Sequence, residues 1–188
     1  NCVSNSIDAI IAPMVETEYA FQKFISAVKN IKNTDFHFLC ETVTAYDNID
    51  AILNTSEANH LSGVIVGRSD FTKSHGLDKS HVDSEIICKK VREVFEKSKK
   101  MGLVTTMGGN ISVNSKEFIK GLYNDNLLDK IETRNVVVEL NNDNVINLEK
   151  TISEILEYEI GWLNFKAQNY ESISRSYKER IETLKNRT

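Results

Sequence analysis

Two short stretches end an apolar run on an acidic side chain: Leu39-Cys40-Glu41-Thr42 and Val66-Gly67-Arg68-Ser69-Asp70-Phe71. If each run is a buried strand of one parallel sheet, a single strand–helix–strand step brings both carboxylates to the same end of neighbouring strands, which lie ~4.8 Å apart. Such a pair can grip one small cation. Two hard oxygen ligands, with room left for water and substrate, suit Mg²⁺ or Mn²⁺ better than zinc. No His-rich or Cys-rich cluster in the sequence competes with Glu41 and Asp70 for a metal. Gly67 stands beside the second carboxylate, and Gly108 and Gly109 follow another apolar run, Leu103 to Met107. Glycines at strand ends permit close backbone approach to a ligand, and a tight turn is the plainer alternative for the Gly-Gly pair.

These residues need a scaffold, and the rest of the chain supplies an alternating one. Ile10 to Val15 reads as a strand, followed by a helix carrying Tyr19, Ala20, Phe24, Ala27 and Val28 at spacings of three and four. The strand Phe36 to Cys40 precedes a helix marked by Ala45, Ile49, Ile52 and Leu53. Gly63 to Val66 leads through a loop, Gly67 to Gly76, into a strongly periodic helix with Ile86, Ile87, Val91, Val94 and Phe95. Then come Leu103 to Met107, a helix around Phe118 to Leu122, and a last strand, Val136 to Leu140, which Glu132-Thr133-Arg134 opens. Short, nearly continuous apolar strands alternating with helices predict an α/β protein with a parallel sheet covered on both faces. Function then belongs at the carboxyl ends of the strands.

The segment 146–188 is of another kind. Leu156, Leu163, Tyr170, Tyr177 and Leu184 recur every seventh residue, with Ile160, Ala167 and Ile181 as a companion row. That seam resembles a coiled-coil face and predicts packing on a neighbouring subunit, hence a homo-oligomer; a helix folded back over its own body is the alternative. The division expected is thus 1–145 for the α/β unit and 146–188 for a long helical extension.

The balance of 23 basic against 27 acidic residues gives a formal charge of −4. With no clustered basic face, nucleic acid is not an expected partner. No apolar run approaches the ~18 residues of a membrane span, so no membrane partner is expected either. Three cysteines, Cys2, Cys40 and Cys88, show no CxxC spacing and read as free thiols in a reducing compartment, by default the cytoplasm.

Taken in order, Pro13-Met14-Val15-Glu16-Thr17, then Glu41-Thr42 with Ala45, Asn48 and Ile52, then Gly67 through Gly76 resemble the HpcH/HpaI aldolase and citrate lyase family. That family is built on a metal-dependent TIM (β/α)8 barrel, and the likeness runs from about Ile7 to Val138. It implies that this stretch matches roughly strands 4 to 8 of the barrel. It also implies that Glu41 and Asp70 are the metal ligands, that Gly67, Arg68 and Ser69 approach a 2-oxo acid, and that Gly108 and Gly109 form a pocket wall. The reaction implied is class II aldolase or lyase chemistry, breaking or making a carbon–carbon bond beside pyruvate or a relative, with an aldehyde as the other partner. A hydroxy-keto or sugar acid is the expected substrate class. The catalytic base and an arginine are expected outside this stretch, on strands that precede it in the family.

Arg68 stands where many relatives carry Pro; it either meets a substrate carboxylate or pairs with Asp83 or Glu85. Glu16 is at best a supporting residue, and His75 is the one histidine on a mouth loop. Two other functional readings compete. One is a non-catalytic relative serving assembly through the seven-residue seam; the other is an acyl-CoA lyase of the citrate lyase β type, for which no basic cluster suited to a nucleotide phosphate is evident.

Overall fold

A computed structural model describes residues 7–187. Six strands form one sheet in sequence order: β1 (Ala9–Ala12), β2 (Asp35–Cys40), β3 (Gly63–Gly67), β4 (Val104–Gly108), β5 (Lys130–Glu132) and β6 (Val137–Glu139). The first five run parallel, and β6 returns antiparallel to β5. The sheet is curled into a half-barrel, consistent with part of a TIM barrel. Parallel neighbours need a crossover, and helices supply it. These are α1 (Glu18–Val28), the pair α2 (Val43–Asp47) and α3 (Ile49–Leu53), α4 (Arg68–Ser74) with α5 (Glu85–Lys100), and α6 (Lys116–Asn124). Two more, α7 (Asn142–Ile146) and α8 (Leu148–Lys185), end the chain.

The central strands are apolar because both their faces are covered. Val64, Ile65 and Val66 of β3 are buried, as are Phe36, Phe38 and Cys40 of β2. The helices lay their periodic stripes on this sheet: Phe21 and Ile25 from α1, Ile87, Val91, Val94 and Phe95 from α5, and Ile119 and Leu122 from α6, all in one core. Cys40 and Cys88 are free thiols, and burial pushes the Cys40 thiol up to about 12, so it is unreactive at neutral pH; Cys2 lies outside the described residues. Among the described residues no helix is long and apolar enough to cross a membrane.

Several expectations are corrected by the fold. The stretch read as a loop, 67–76, contains the helix α4, which the mixed polarity of Arg68-Ser69-Asp70 and Thr72-Lys73-Ser74 conceals from a periodicity argument. The single helix expected across Ala45 to Leu53 is divided at Asn48, a shared cap residue. The last parallel strand is Lys130–Glu132, not Val136 to Leu140. Glu132-Thr133-Arg134 therefore closes a strand and turns into the β5–β6 hairpin, fixed by Thr133 N–H donating to the Val136 carbonyl. A three-residue strand carries too little pattern to be seen.

The terminal helix is continuous through Gly161, and it docks only by its first turns. Leu148, Ile152 and Ile155 are buried, whereas every residue from 160 to 187 is exposed. It does not fold back over its own body.

Candidate functional site

Strand register lines up the site. Cys40 pairs with Val66, Gly67 with Gly108, and Met107 with Ile131, so one further step places Glu41, Gly67, Gly108 and Glu132 in a row across the carboxyl ends of β2 to β5. Neighbouring parallel strands in register point equivalent side chains to the same face. The row therefore reads glutamate, nothing, nothing, glutamate. The two bare glycines form a floor, and both acidic side chains lean over it. A Cβ on Gly108 would stand 2.9 Å from Cγ and Oε1 of Glu132, and one on Gly67 would stand 3.6 Å from Oε2 of Glu41.

Local chain geometry fixes each acid. Glu41 is 8% exposed, and its Oε1 accepts from the Met14 N–H at 3.2 Å. Met14 holds that N–H in place with a left-handed φ of 56°, unusual for a residue with a side chain. Thr42, next in sequence, leaves the site to cap α2, its Oγ1 accepting from Ala45 N–H; Thr17 caps α1 in the same way. The Glu-Thr motif is thus a site residue followed by a helix start. Asp70 lies exposed in the first turn of α4, at the end of the adjoining strand.

Glu41, Gly67, Ser69, Asp70 and Gly109 line one cavity of about 390 Å³, so five of the seven residues singled out from sequence come together. Arg68 and Gly108 do not line it. Gly108 lies beneath Glu132, and the Arg68 side chain turns the opposite way, fully buried and paired with Asp83. Contact between the Arg68 guanidinium and a ligand in the cavity is thereby corrected; of Arg68, only the backbone stays near, beside Gly109. Gly109 has φ +80°, and a Cβ there would come within 2.4 Å of Ser69 N and 2.5 Å of Arg68 N, so the position excludes any side chain.

His75 faces away as well, with Nδ1 2.8 Å from the Phe71 carbonyl and its ring against Phe71. Glu16 contributes its carbonyl to Asn48 and does not reach the cavity.

From sequence, Glu132-Thr133-Arg134 is as readily a structural pairing within the barrel as a substrate contact, and Glu159 carries no signal, yet both Glu132 and Glu159 line the cavity. Glu132 was discernible as part of Glu132-Thr133-Arg134, but its direction depended on where the strand ends. Glu159 comes from α8 and accepts from Thr133 Oγ1 at 2.7 Å and from Asn135 N–H at 2.9 Å. Four carboxylates, Glu41, Asp70, Glu132 and Glu159, thus share the lining with one guanidinium, that of Arg134. Their field favours a cation. Burial, opposed by the Met14 hydrogen bond and reinforced by the negative charge of Asp70, holds the Glu41 carboxyl above the usual range. Both acids line the same cavity, and a divalent ion held between them would offset the negative charge that Asp70 places on Glu41. The donor set fits such an ion as a two-carboxylate site; among the described residues no group of three or more His, Cys, Asp or Glu gathers to hold one.

Burial alone raises the Glu132 carboxyl. The sign of its effect on stability follows. A folded pKa above the unfolded value of ~4.3 gives a contribution present in full below that pH and lost as pH rises through the folded value. Glu132→Gln is therefore expected to melt at higher temperature than the parent at pH 7 and at the same temperature near pH 4. Thermal melts at the two pH values read this directly, and a Gln variant less stable at pH 7 would contradict the burial argument.

No protein-family model matches the sequence, and no curated protein matches it. Solved structures do match the fold. RipC from Yersinia pestis aligns with TM-score 0.51 at 15% identity, over 67% of this chain and 57% of that one. An HpcH/HpaI aldolase from Desulfitobacterium hafniense aligns with TM-score 0.52 at 14% identity, over 67% and 56%. A citrate lyase from Burkholderia xenovorans aligns with TM-score 0.53 at 11% identity, over 67% and 44%. The chain spans about half the length of these structures, and the likeness is one of fold.

Proposed function

We propose that this chain carries the metal-binding half of a carbon–carbon lyase or aldolase site acting on a 2-oxo acid. The observation that supports it most is the placement of Glu41 and Asp70 at the carboxyl ends of consecutive parallel strands, in an acidic cavity that Gly67 and Gly109 also line. A cavity lined by four carboxylates repels a 2-oxo acid anion unless a cation intervenes. Fold likeness to an HpcH/HpaI aldolase and a citrate lyase is consistent with this chemistry.

In this reading Glu41 and Asp70 hold Mg²⁺ or Mn²⁺. Bound there, the ion supplies Lewis-acid stabilisation of the negative charge that develops on the 2-oxo acid as the carbon–carbon bond breaks. The remaining work falls to the chain itself. The glycine floor lets a small, flat acid approach the backbone, and the walls at Leu39 and Ile111 limit water. Arg134, on the exposed rim, can pair with a substrate carboxylate. Glu132, whose carboxyl burial holds above the usual range, stands over Gly108, where it can exchange a proton with a bound acid. A base and an arginine from strands beyond the described residues would complete the site, as the resemblance implies.

The test is a Mn²⁺ titration of the complete protein, followed by electron paramagnetic resonance, with and without pyruvate. Pyruvate is expected to tighten Mn²⁺ binding and, by linkage, Mn²⁺ to tighten pyruvate binding by the same factor. Metal binding indifferent to pyruvate would remove the 2-oxo acid from the reading.

A further inference from the structure

From residue 160 onward the terminal helix stands clear of the protein body with a regular apolar seam. Ile160, Leu163, Ala167, Tyr170, Ser174, Tyr177, Ile181 and Leu184 alternate spacings of three and four. The large members are bare: Leu163 is 58% exposed, Tyr170 63% and Tyr177 67%. A 38-residue helix would extend ~57 Å. Helices gain most of their stability from packing an apolar stripe, and this one has only its first turns packed.

We propose that the seam pairs with the same seam of a second copy, the two helices running antiparallel. Ile160 of one copy is layered on Tyr177 of the other, Leu163 on Ser174, and Ala167 on Tyr170. Two independent features of the sequence select this alignment, size and charge.

Size comes first. In an antiparallel coiled coil each layer joins one position from each row of the seam, so the small residues Ala167 and Ser174 meet the large Tyr170 and Leu163. A parallel pair would instead set each residue on its own twin. Ala167 on Ala167 and Ser174 on Ser174 leave gaps, while the tyrosine layers crowd; underfilled and overfilled layers both cost stability.

Charge decides the register. In the proposed alignment the residues flanking the seam bring Glu157 of one copy beside Lys178 of the other and Glu159 beside Arg180, each pair occurring twice by symmetry. Sliding one heptad one way sets Lys166 beside Arg180 and Glu171 beside Glu171. Sliding it the other way sets Lys166 beside Lys166 and Glu157 beside Glu171. The parallel arrangement sets Arg180 beside Lys185. Among these four arrangements, only the proposed one keeps like charges out of the seam: its one like pair, Lys150 beside Lys185, lies beyond the seam's ends, and each lysine pairs within its own helix, with Glu154 and Glu182. A second apolar patch, at Tyr158, Gly161, Trp162 and Phe165, lies on another side of the helix and ends within two turns, too short for such a seam.

The pairing does not depend on the proposed reaction, yet it reaches the cavity. Leu156 lines the cavity and is layered on Ile181 of the second copy, so the seam begins at the cavity rim.

Light scattering of the protein is expected to give twice the mass of one chain, to which these 188 residues contribute 21.3 kDa. Chains carrying Ile160→Cys and Tyr177→Cys, mixed and mildly oxidised, are expected to cross-link to each other, while Ile160→Cys does not cross-link to itself; peptide mapping identifies the bridged residues. Glu157→Lys or Lys178→Glu alone is expected to weaken association roughly tenfold, from two lost pairs and two new repulsions per dimer. Both changes in one chain restore it. A monomer at tens of micromolar, an Ile160→Cys self-cross-link, or a double variant no tighter than the single ones would each overturn the proposal.

Discussion

Replacing Glu41 by Gln, or Asp70 by Asn, is expected to weaken Mn²⁺ binding by ~100-fold or more, because loss of the groups that merely orient metal ligands already costs 10- to 100-fold. Here the change removes one of only two protein ligands proposed for the ion. The two effects are not expected to add, since either acid alone is a weak site for a divalent ion. Calorimetric titration of the two single variants and the double variant measures this. A folding defect would mimic the loss, but the site's own electrostatics separate the two explanations. Burial and the charge of Asp70 both hold the Glu41 carboxyl up, so ionisation of Glu41 costs the metal-free protein stability at neutral pH. Gln keeps the oxygen that accepts from Met14 N–H and removes the charge. Glu41→Gln is thus expected to be at least as heat-stable as the parent without metal while binding metal far less well. Undiminished Mn²⁺ affinity in the double variant would end the site assignment.

The parts of this site that could be read in the sequence are those whose signal is local. Glu41 and Asp70 each end a short apolar run, and the strand pattern of Phe36 to Cys40 and Gly63 to Val66 is strong because both faces of those strands are buried. Their coming together follows from one parallel crossover. Glu132 was hidden for the opposite reason. Its strand, Lys130–Glu132, is three residues long, and the stronger β-pattern of Val136 to Leu140 drew the strand assignment to what is the returning arm of a hairpin. Only the register, Met107 on Ile131, shows that Glu132 closes the row over Gly108. Glu159 has no local signal at all. Its place at the cavity depends on the angle at which α8 leaves the body, set by Leu148, Ile152 and Ile155 packing on the core. The seven-residue seam was legible because periodicity is a property of one helix; which surface it meets is not.

Arg68 shows how a residue beside the site can matter without touching a ligand, and its replacement is expected to have the largest effect on stability. The guanidinium is fully buried and pairs with Asp83 through Nη1. It also donates to Ser115 Oγ at 3.1 Å through Nη2, and makes longer bonds of 3.4 Å to the carbonyls of Gly108 and Val82. Burial pulls its pKa down and the negative charge of Asp83 acts against that pull, the usual balance of a buried ion pair. Removing one partner of such a pair typically costs ~3–5 kcal/mol, because the other charge is left buried and uncompensated. Arg68→Met is expected to lose that much in urea unfolding, a large share of the ~5–15 kcal/mol that holds a domain folded. Arg68→Lys is expected to recover little, since one ammonium group cannot serve Asp83, Ser115 and the Gly108 carbonyl at once. Asp83→Asn is expected to cost a comparable amount, because it leaves the fully buried Arg68 charge uncompensated, whereas Arg68→Met leaves Asp83, which is 23% exposed and partly open to water. The same bonds tie the first turn of α4 to the end of β4 and to Ser115, so they fix the turn that carries Asp70. Asp83→Asn is therefore expected to lower Mn²⁺ affinity several-fold although Asp83 does not line the cavity. An Arg68→Met protein within ~1 kcal/mol of the parent would show that the network is dispensable, because changes far from such features usually stay near ~0.5 kcal/mol. The position of Asp70 would then need another support.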